Sequence, residues 1–301
     1  MKTMLAILSA AYVLPLWSAP DKAAWSEQRM KAVNRPRTVL YYDGGDEPFR
    51  WPKETPFSVQ AFLDMRIAPL KKSGVDTVLY CPVSAFAYSS ANIPSVDLLL
   101  RQPNSSQWMA NNTNVLQHFI DAGTDPLKVV VTWCRVNGKE IFASLSVNSS
   151  HHGSEYDFAK PPPPYTWYNY LFPPFKEKHP HLLLGEVSGK AKGKQVVNRP
   201  PFCSWAGLDY GQDAVREKYF EMARDLCANY DIDGLTLDFM REMQLFKSVA
   251  WGDKASSQER KQITELLRRI RTAAEDAGHK RGRPILIAVR VPDSVPYCKD
   301  V

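Results

Sequence analysis

Asp238 is the residue whose type and setting most suggest chemistry. It closes the apolar, strand-like run Gly-Leu-Thr-Leu-Asp-Phe at 234–239, and Arg241 and Glu242 follow within four residues. A carboxylate at the end of a buried strand costs stability unless it is paired or put to use. One use is as nucleophile or stabiliser facing an oxocarbenium-like centre, with Arg241 keeping it ionised. The other reading is an Asp238–Arg241 ion pair closing the rim of a sheet. Glycosidic hydrolysis also needs a general acid, and Glu242 is the nearest second carboxyl. Three more strand-like runs end on polar groups: Asp43, Asn148 with His151 just beyond, and Arg290. Asn148 and His151 have the donors and acceptors to bind sugar hydroxyls, and Asp43, Arg241 and Arg290 complete the expected substrate contacts. A metal held by His151, His152 and Asp238 has no recognised ligand spacing, so neither metal nor other cofactor is expected.

The elements that position these groups alternate between short β-rich runs and longer helical patterns. Strands are expected at Arg37 to Asp43, Asp76 to Pro82, Glu140 to Asn148, Gly234 to Phe239 and Ile285 to Val291. Between them, Val59, Phe62, Leu63, Ile67 and Leu70 share a helical face that stops at Gly74. Val115 to Ile120 marks a short helix. Asp125 as N-cap with Pro126 at the first turn opens another, which carries Leu127, Val130, Val131 and Cys134 inward and closes at Gly138. Asp213 to Tyr230 is a helix with Val215, Tyr219, Met222 and Leu226 inward. Ser256 and Glu259 form a capping box for a helix burying Ile263, Leu266, Leu267 and Ile270 and ending at Gly278. Asp233 sits at the opposite end of its strand, and Asp209-Tyr210-Gly211 reads as a turn. A long excursion at 149–207, with four consecutive prolines from Pro161, has little periodicity.

Strands separated by helices predict parallel pairing through right-handed crossovers. No glycine-rich phosphate loop follows any strand, which argues against a nucleotide-binding open sheet. The expected fold is therefore α/β, a TIM-type (β/α) barrel, truncated after the fifth strand because a closed barrel needs eight. It would occupy 36–301, after a signal peptide and leader at 1–24. Lys2, the uncharged run Met4 to Trp17 and a cleavage position at Ala19 predict export, and no other segment has the length to cross a bilayer.

Composition narrows the partners. The 301 residues carry a net charge of +6, and the basic cluster Lys190, Lys192, Lys194 and Arg199 reads as a solvated loop, so nucleic acid is not expected. Trp 8, Tyr 13 and Phe 13 supply faces suited to sugar rings. None of the five cysteines (Cys81, Cys134, Cys203, Cys227 and Cys298) sits in a C-x-x-C pair, and Cys81 and Cys227 read as buried thiols.

Four stretches together resemble a known family: Gly123 to Gly153, His179 to Gly185, Leu208 to Glu242 and Ile285 to Val301. They are similar to the glycoside-hydrolase-like barrel proteins, mostly uncharacterised, of planctomycetes and related bacteria. The resemblance implies a TIM-type barrel, export and a role in polysaccharide breakdown. The family's third-strand motif is similar to Arg-Met-Asn-Asp-x-His-Asp; Asn148 and His151 match it, while Ser146, Ser149 and His152 replace the charged positions. Asp238, Arg241 and Arg290 match, and Glu242-Met243 stands where His-Pro is usual. The expectation is an exported glycosidase acting on a polysaccharide or oligosaccharide, with Asp238 and Glu242 catalytic. The alternative is a carbohydrate-binding or scaffold protein on a degenerate barrel, and oligomeric state is left open.

Overall fold

A computed structural model describes residues 22–102, 111–149, 158, 170–191, 194–241 and 243–293. Of the leader expected at 1–24, residues 1–21 lie outside these residues and the last three open a helix; His151, His152, Glu242, Lys192, Cys298 and the four prolines from Pro161 also lie outside. The helices that carry the argument are α1 Lys22–Val33, α2 Val59–Arg66, α3 Leu116–Asp121, α4 Pro126–Val136, α5 Asp213–Asn229 and α6 Ser257–Arg281. The strands are β1 Leu40–Asp43, β2 Thr77–Ala85, β3 Glu140–Ser146, β4 Gly234–Asp238 and β5 Leu286–Arg290.

These five strands are parallel and lie side by side in sequence order, β1 beside β2, then β3, β4 and β5. In a doubly wound sheet the order reverses at a switch point; here it never does, so crossovers of one hand put every connecting helix on the same face. That is barrel topology. The barrel is not closed, however: among the described residues β1 pairs only with β2, and β5 only with β4. Short strands Tyr88–Ser89 and Asp97–Leu98 extend β2, and a separate hairpin, Glu186–Ala191 with Lys194–Asn198, occupies part of the long excursion.

Register assigns the faces, because residues paired across parallel strands share a face. Ile141, Ala143, Leu145, Leu235 and Leu237 belong to the main core with Val130, Val215, Tyr219 and Leu266 from the helices. The opposite, concave face carries Phe142, Ser144 and Ser146 on β3, with Gly234, Thr236 and Asp238 on β4 and Leu286, Ala288 and Arg290 on β5. Gly234 is small for a reason: a Cβ there would meet Phe142 at 2.7 Å and the Leu286 carbonyl at 2.8 Å.

The helix caps follow the local chemistry. Asp125 accepts from the Lys128 amide at 2.9 Å, and the Ser256–Glu259 capping box is complete. The expected end of α6 at Gly278 needs correction. The helix runs three residues further, and Gly282 (φ 71°) takes the left-handed cap. Gly278 is buried inside the helix, where the returning chain crosses close to it. A second difference is α1, whose apolar residues are not gathered on one helical face and so give no sequence signal. Its Trp25 stacks on His279 of α6 at 3.8 Å.

The amino-terminal ends of the strands are tied by ion pairs. Arg37 grips Glu140 with bonds of 2.6 and 2.7 Å, and Thr77 donates to the same carboxylate. Asp231 and Asp233 hold Arg135 and Arg283 nearby. These ion pairs fix this end of the sheet to the elements around it. Cys81, Cys134 and Cys227 are buried free thiols.

Candidate functional site

The carboxyl ends of β3, β4 and β5 set Ser146, Asp238 and Arg290 in one row on the concave face. Asp238 is 1% exposed. Its Oδ1 accepts from the Met240 amide at 2.9 Å, and its Oδ2 accepts from Arg290 Nη1 at 3.1 Å. The ion pair thus comes from the neighbouring strand, 52 residues away, and replaces the Asp238–Arg241 pair that sequence proximity suggested. Arg241 is exposed and forms no ion pair among the described residues.

Tyr42 of β1 reaches the same group. The Arg290 guanidinium lies 5.2 Å from the Tyr42 ring centroid, although β1 and β5 are the two edges of the sheet. The sheet is curled enough for its edge strands to meet side chain to side chain over the concave face. Burial raises the Tyr42 hydroxyl pKa, reinforced by Cys81 and Asp238 and opposed by Arg241 and Arg290. Burial likewise pushes the Cys81 thiol up to about 11; Arg241 is the charge that opposes this most, and Asp238 adds to it. One row deeper, Ser144 and Thr236 face each other in register, and their buried hydroxyls have no protein partner. Hydroxyls in that state suit a bound water or a polar ligand.

Two expected contacts are placed elsewhere. Asp43 pairs in register with Tyr80, so it faces the helices rather than the concave side. There it is fully buried and bonds Arg66 of α2 at 2.7 and 3.2 Å and the Gly45 amide at 2.8 Å. It is a structural ion pair between β1 and α2. Asn148 is also fully buried. Its amide donates to the carbonyls of Leu208 and Gln244 and accepts from the amides of Ser149 and Leu208. All four of its bonds are spent on backbone, so it staples the exit of β3 to two other segments and has none to offer a sugar. The structure therefore unites Asp238 and Arg290 with Arg241 close by, adds Tyr42 and Cys81, and sets Asp43 and Asn148 apart.

Tyr42 had no clear signal. In Leu-Tyr-Tyr-Asp a polar tip follows two aromatics, and nothing in four residues tells which parity faces inward. The position of Cys81 near the end of the strand-like run 76–82 is a signal of the right kind.

Away from this mouth, a cleft of about 920 Å³ lies between α5 and α6 on the outer surface, floored by Ala228, Ala273 and Ala277. Arg269 within it is tied to Glu217 at 2.6 Å and lies over Phe220 at 4.1 Å, and the cleft lacks a constellation for chemistry. Among the described residues, no group of three His, Cys, Asp or Glu side chains is placed to hold a metal ion, and no helix is long and apolar enough to cross a membrane.

No family model matches the sequence, and no curated protein matches it. Solved structures with similarity include alpha-L-fucosidase isoenzyme 2 from Paenibacillus thiaminolyticus, at 13% identity and a TM-score of 0.44 over 84% of this chain. The GH36 alpha-galactosidase AgaA from Geobacillus stearothermophilus aligns over 85% of this chain at 13% identity and a TM-score of 0.40. A glycoside hydrolase family 18 N-acetylglucosaminidase from Paenibacillus barengoltzii aligns over 87% at 16% identity and a TM-score of 0.37. The chain spans 32%, 28% and 48% of those proteins respectively.

Proposed function

We propose that the mouth of the curled sheet is a carbohydrate site of the glycosidase kind, with Asp238 as its working carboxylate. One observation carries this reading: a buried aspartate ends a central strand on the concave face, gripped by Arg290 and flanked by the half-exposed ring of Tyr42. A carboxylate so placed and bonded to arginine is suited to face an oxocarbenium-like centre. The Tyr42 ring offers an apolar face to the C–H side of a sugar, and Ser144 and Thr236 have spare hydroxyls below. Glu242 stands in the same reading as general acid. Export through the N-terminal leader and closure of the barrel by further strands complete it; the unpaired outer sides of β1 and β5 support the closure.

The test is Asp238→Asn assayed on a panel of glycans. Hydrolysis should fall by about two orders of magnitude or more while the fold is retained. Unchanged turnover would remove Asp238 from the chemistry. A second reading, glycan binding without turnover, is favoured by the engagement of both Asp238 oxygens and by its burial. Wild-type protein that binds glycans and hydrolyses none selects it.

A further inference from the structure

Two buried hydroxyls lie one row below the mouth. Ser144 of β3 and Thr236 of β4 pair in register on the concave face, beneath Ser146 and Asp238. Ser144 is fully buried and Thr236 is 3% exposed, and neither hydroxyl has a hydrogen-bond partner among the described residues. The inward layers of a barrel sheet are filled chiefly by branched apolar side chains, and orphaned hydroxyls there cost stability that valine and alanine would not. The next residue of the row, Ala288 of β5, is small and has no polar group to offer.

Asp238 above them is also short of partners. It is 1% exposed, and its carboxylate accepts two bonds, from the Met240 amide and from Arg290, whereas a carboxylate has about four acceptor sites. Neither bond comes from the row below. A buried water typically joins about three otherwise unsatisfied polar groups. We propose that Ser144, Thr236 and Asp238 are three such groups: they hold one water, which accepts a hydrogen bond from each hydroxyl and donates to the carboxylate. Ser144 and Thr236 are then positioning residues, holding Asp238 from below while Arg290 holds it from β5. The water site stands independently of any sugar; only its effect on turnover rests on the carbohydrate reading.

Thermal melts of near-isosteric variants of the full chain test the site. Thr236→Val keeps the shape and removes the hydroxyl. If that hydroxyl is bonded to a fixed water, the melting temperature should fall by about 2–4 °C. Ser144→Ala should lower it likewise. Removing an orphaned hydroxyl raises stability instead, so a rise in either variant overturns the proposal. Coupling identifies the third partner. Asp238→Asn should change the unfolding equilibrium by factors that differ at least about twofold between the wild type and the Thr236→Val background. In a Thr236→Ser background, which retains the hydroxyl, the factor should match the wild type. Equal factors in all three backgrounds overturn the link to Asp238, and a gap that Thr236→Ser shares reflects packing alone and overturns it too. In a crystal structure, a direct Ser144–Thr236 bond with no water between them has the same force. On a glycan that the protein hydrolyses, Thr236→Val should lower kcat severalfold with KM retained, and an unchanged kcat removes the positioning role. A glycan panel without hydrolysis counts against the enzyme reading and leaves the melts to decide the water site.

Discussion

Around Glu47 three acidic side chains share one guanidinium. Arg66 bonds Asp43 at 2.7 Å, forms an ion pair with Glu47 and lies 3.8 Å from Asp46, which Arg50 also holds at 2.8 Å. Burial and the Asp43 charge push the Glu47 carboxyl up to about 7, against the attraction of Arg66. A carboxyl whose pKa is raised on folding binds its proton more tightly in the folded chain than in the unfolded one. It therefore favours the folded state at low pH, and that contribution is lost as pH rises from 4.5 to about 7. Glu47→Gln should stabilise the protein at about pH 8 by roughly 1–2 kcal/mol, after discounting for partial solvent access. Below about pH 4.5 the difference should vanish. Denaturant melts at the two pH values read this directly, and a variant that is weaker at the higher pH contradicts the assignment. The same residues explain why Asp43 was misplaced by sequence: a terminal aspartate on a strand looks identical whether its side chain meets a helix arginine or the open mouth.

At the scale of elements, α6 shows how a local rule is overruled. Glycine inside a helix costs about 1 kcal/mol relative to alanine, so propensity alone predicts that Gly278→Ala is stabilising. In this fold a Cβ at 278 would come within 3.0 Å of the Arg283 carbonyl and 3.2 Å of the Ile285 amide. Those are backbone atoms of the turn that delivers β5, and moving them displaces the strand that carries Arg290. Gly278→Ala should therefore lower stability, by about 1–3 kcal/mol for an overpacked contact, and thermal melts check it. A higher melting temperature would mean that the turn yields. The Ser256–Glu259 capping box and the Asp125 cap were readable in advance because each needs only residues within one turn. The role of Gly278 was not, since it depends on where the chain goes after the helix.

At the scale of the molecule, the five parallel strands form a curled layer whose outer sides, at β1 and β5, are unpaired among the described residues. Leu40 is 55% exposed on β1 and Val289 is 49% exposed on β5, next to backbone groups that no strand pairs among the described residues. Edges of this kind recruit further strands, from the same polypeptide or from another copy. The protein should self-associate with rising concentration, and Val289→Lys should shift it towards monomer in light scattering. A wild type that stays monomeric across the micromolar range would show the edges to be protected. The opposite end of the sheet makes no such demand, because α1 and the arginine–aspartate pairs cover it.

The sequence by itself determined the succession of the five parallel strands, the helices between them, the N-terminal caps of α4 and α6 and the lack of a glycine-rich phosphate loop, but neither α1 nor the true end of α6. These depend on periodicity and on side chains reaching three or four residues along the chain. It also marked Asp238 and Arg290, since polar ends on apolar strands are visible in one dimension. Only the tertiary structure decided that Arg290, rather than the adjacent Arg241, holds Asp238, and that Tyr42 joins them while Asp43 turns to Arg66. The physical reason is register. Which face a strand residue takes is fixed by the neighbours it pairs with, and those neighbours lie tens of residues away.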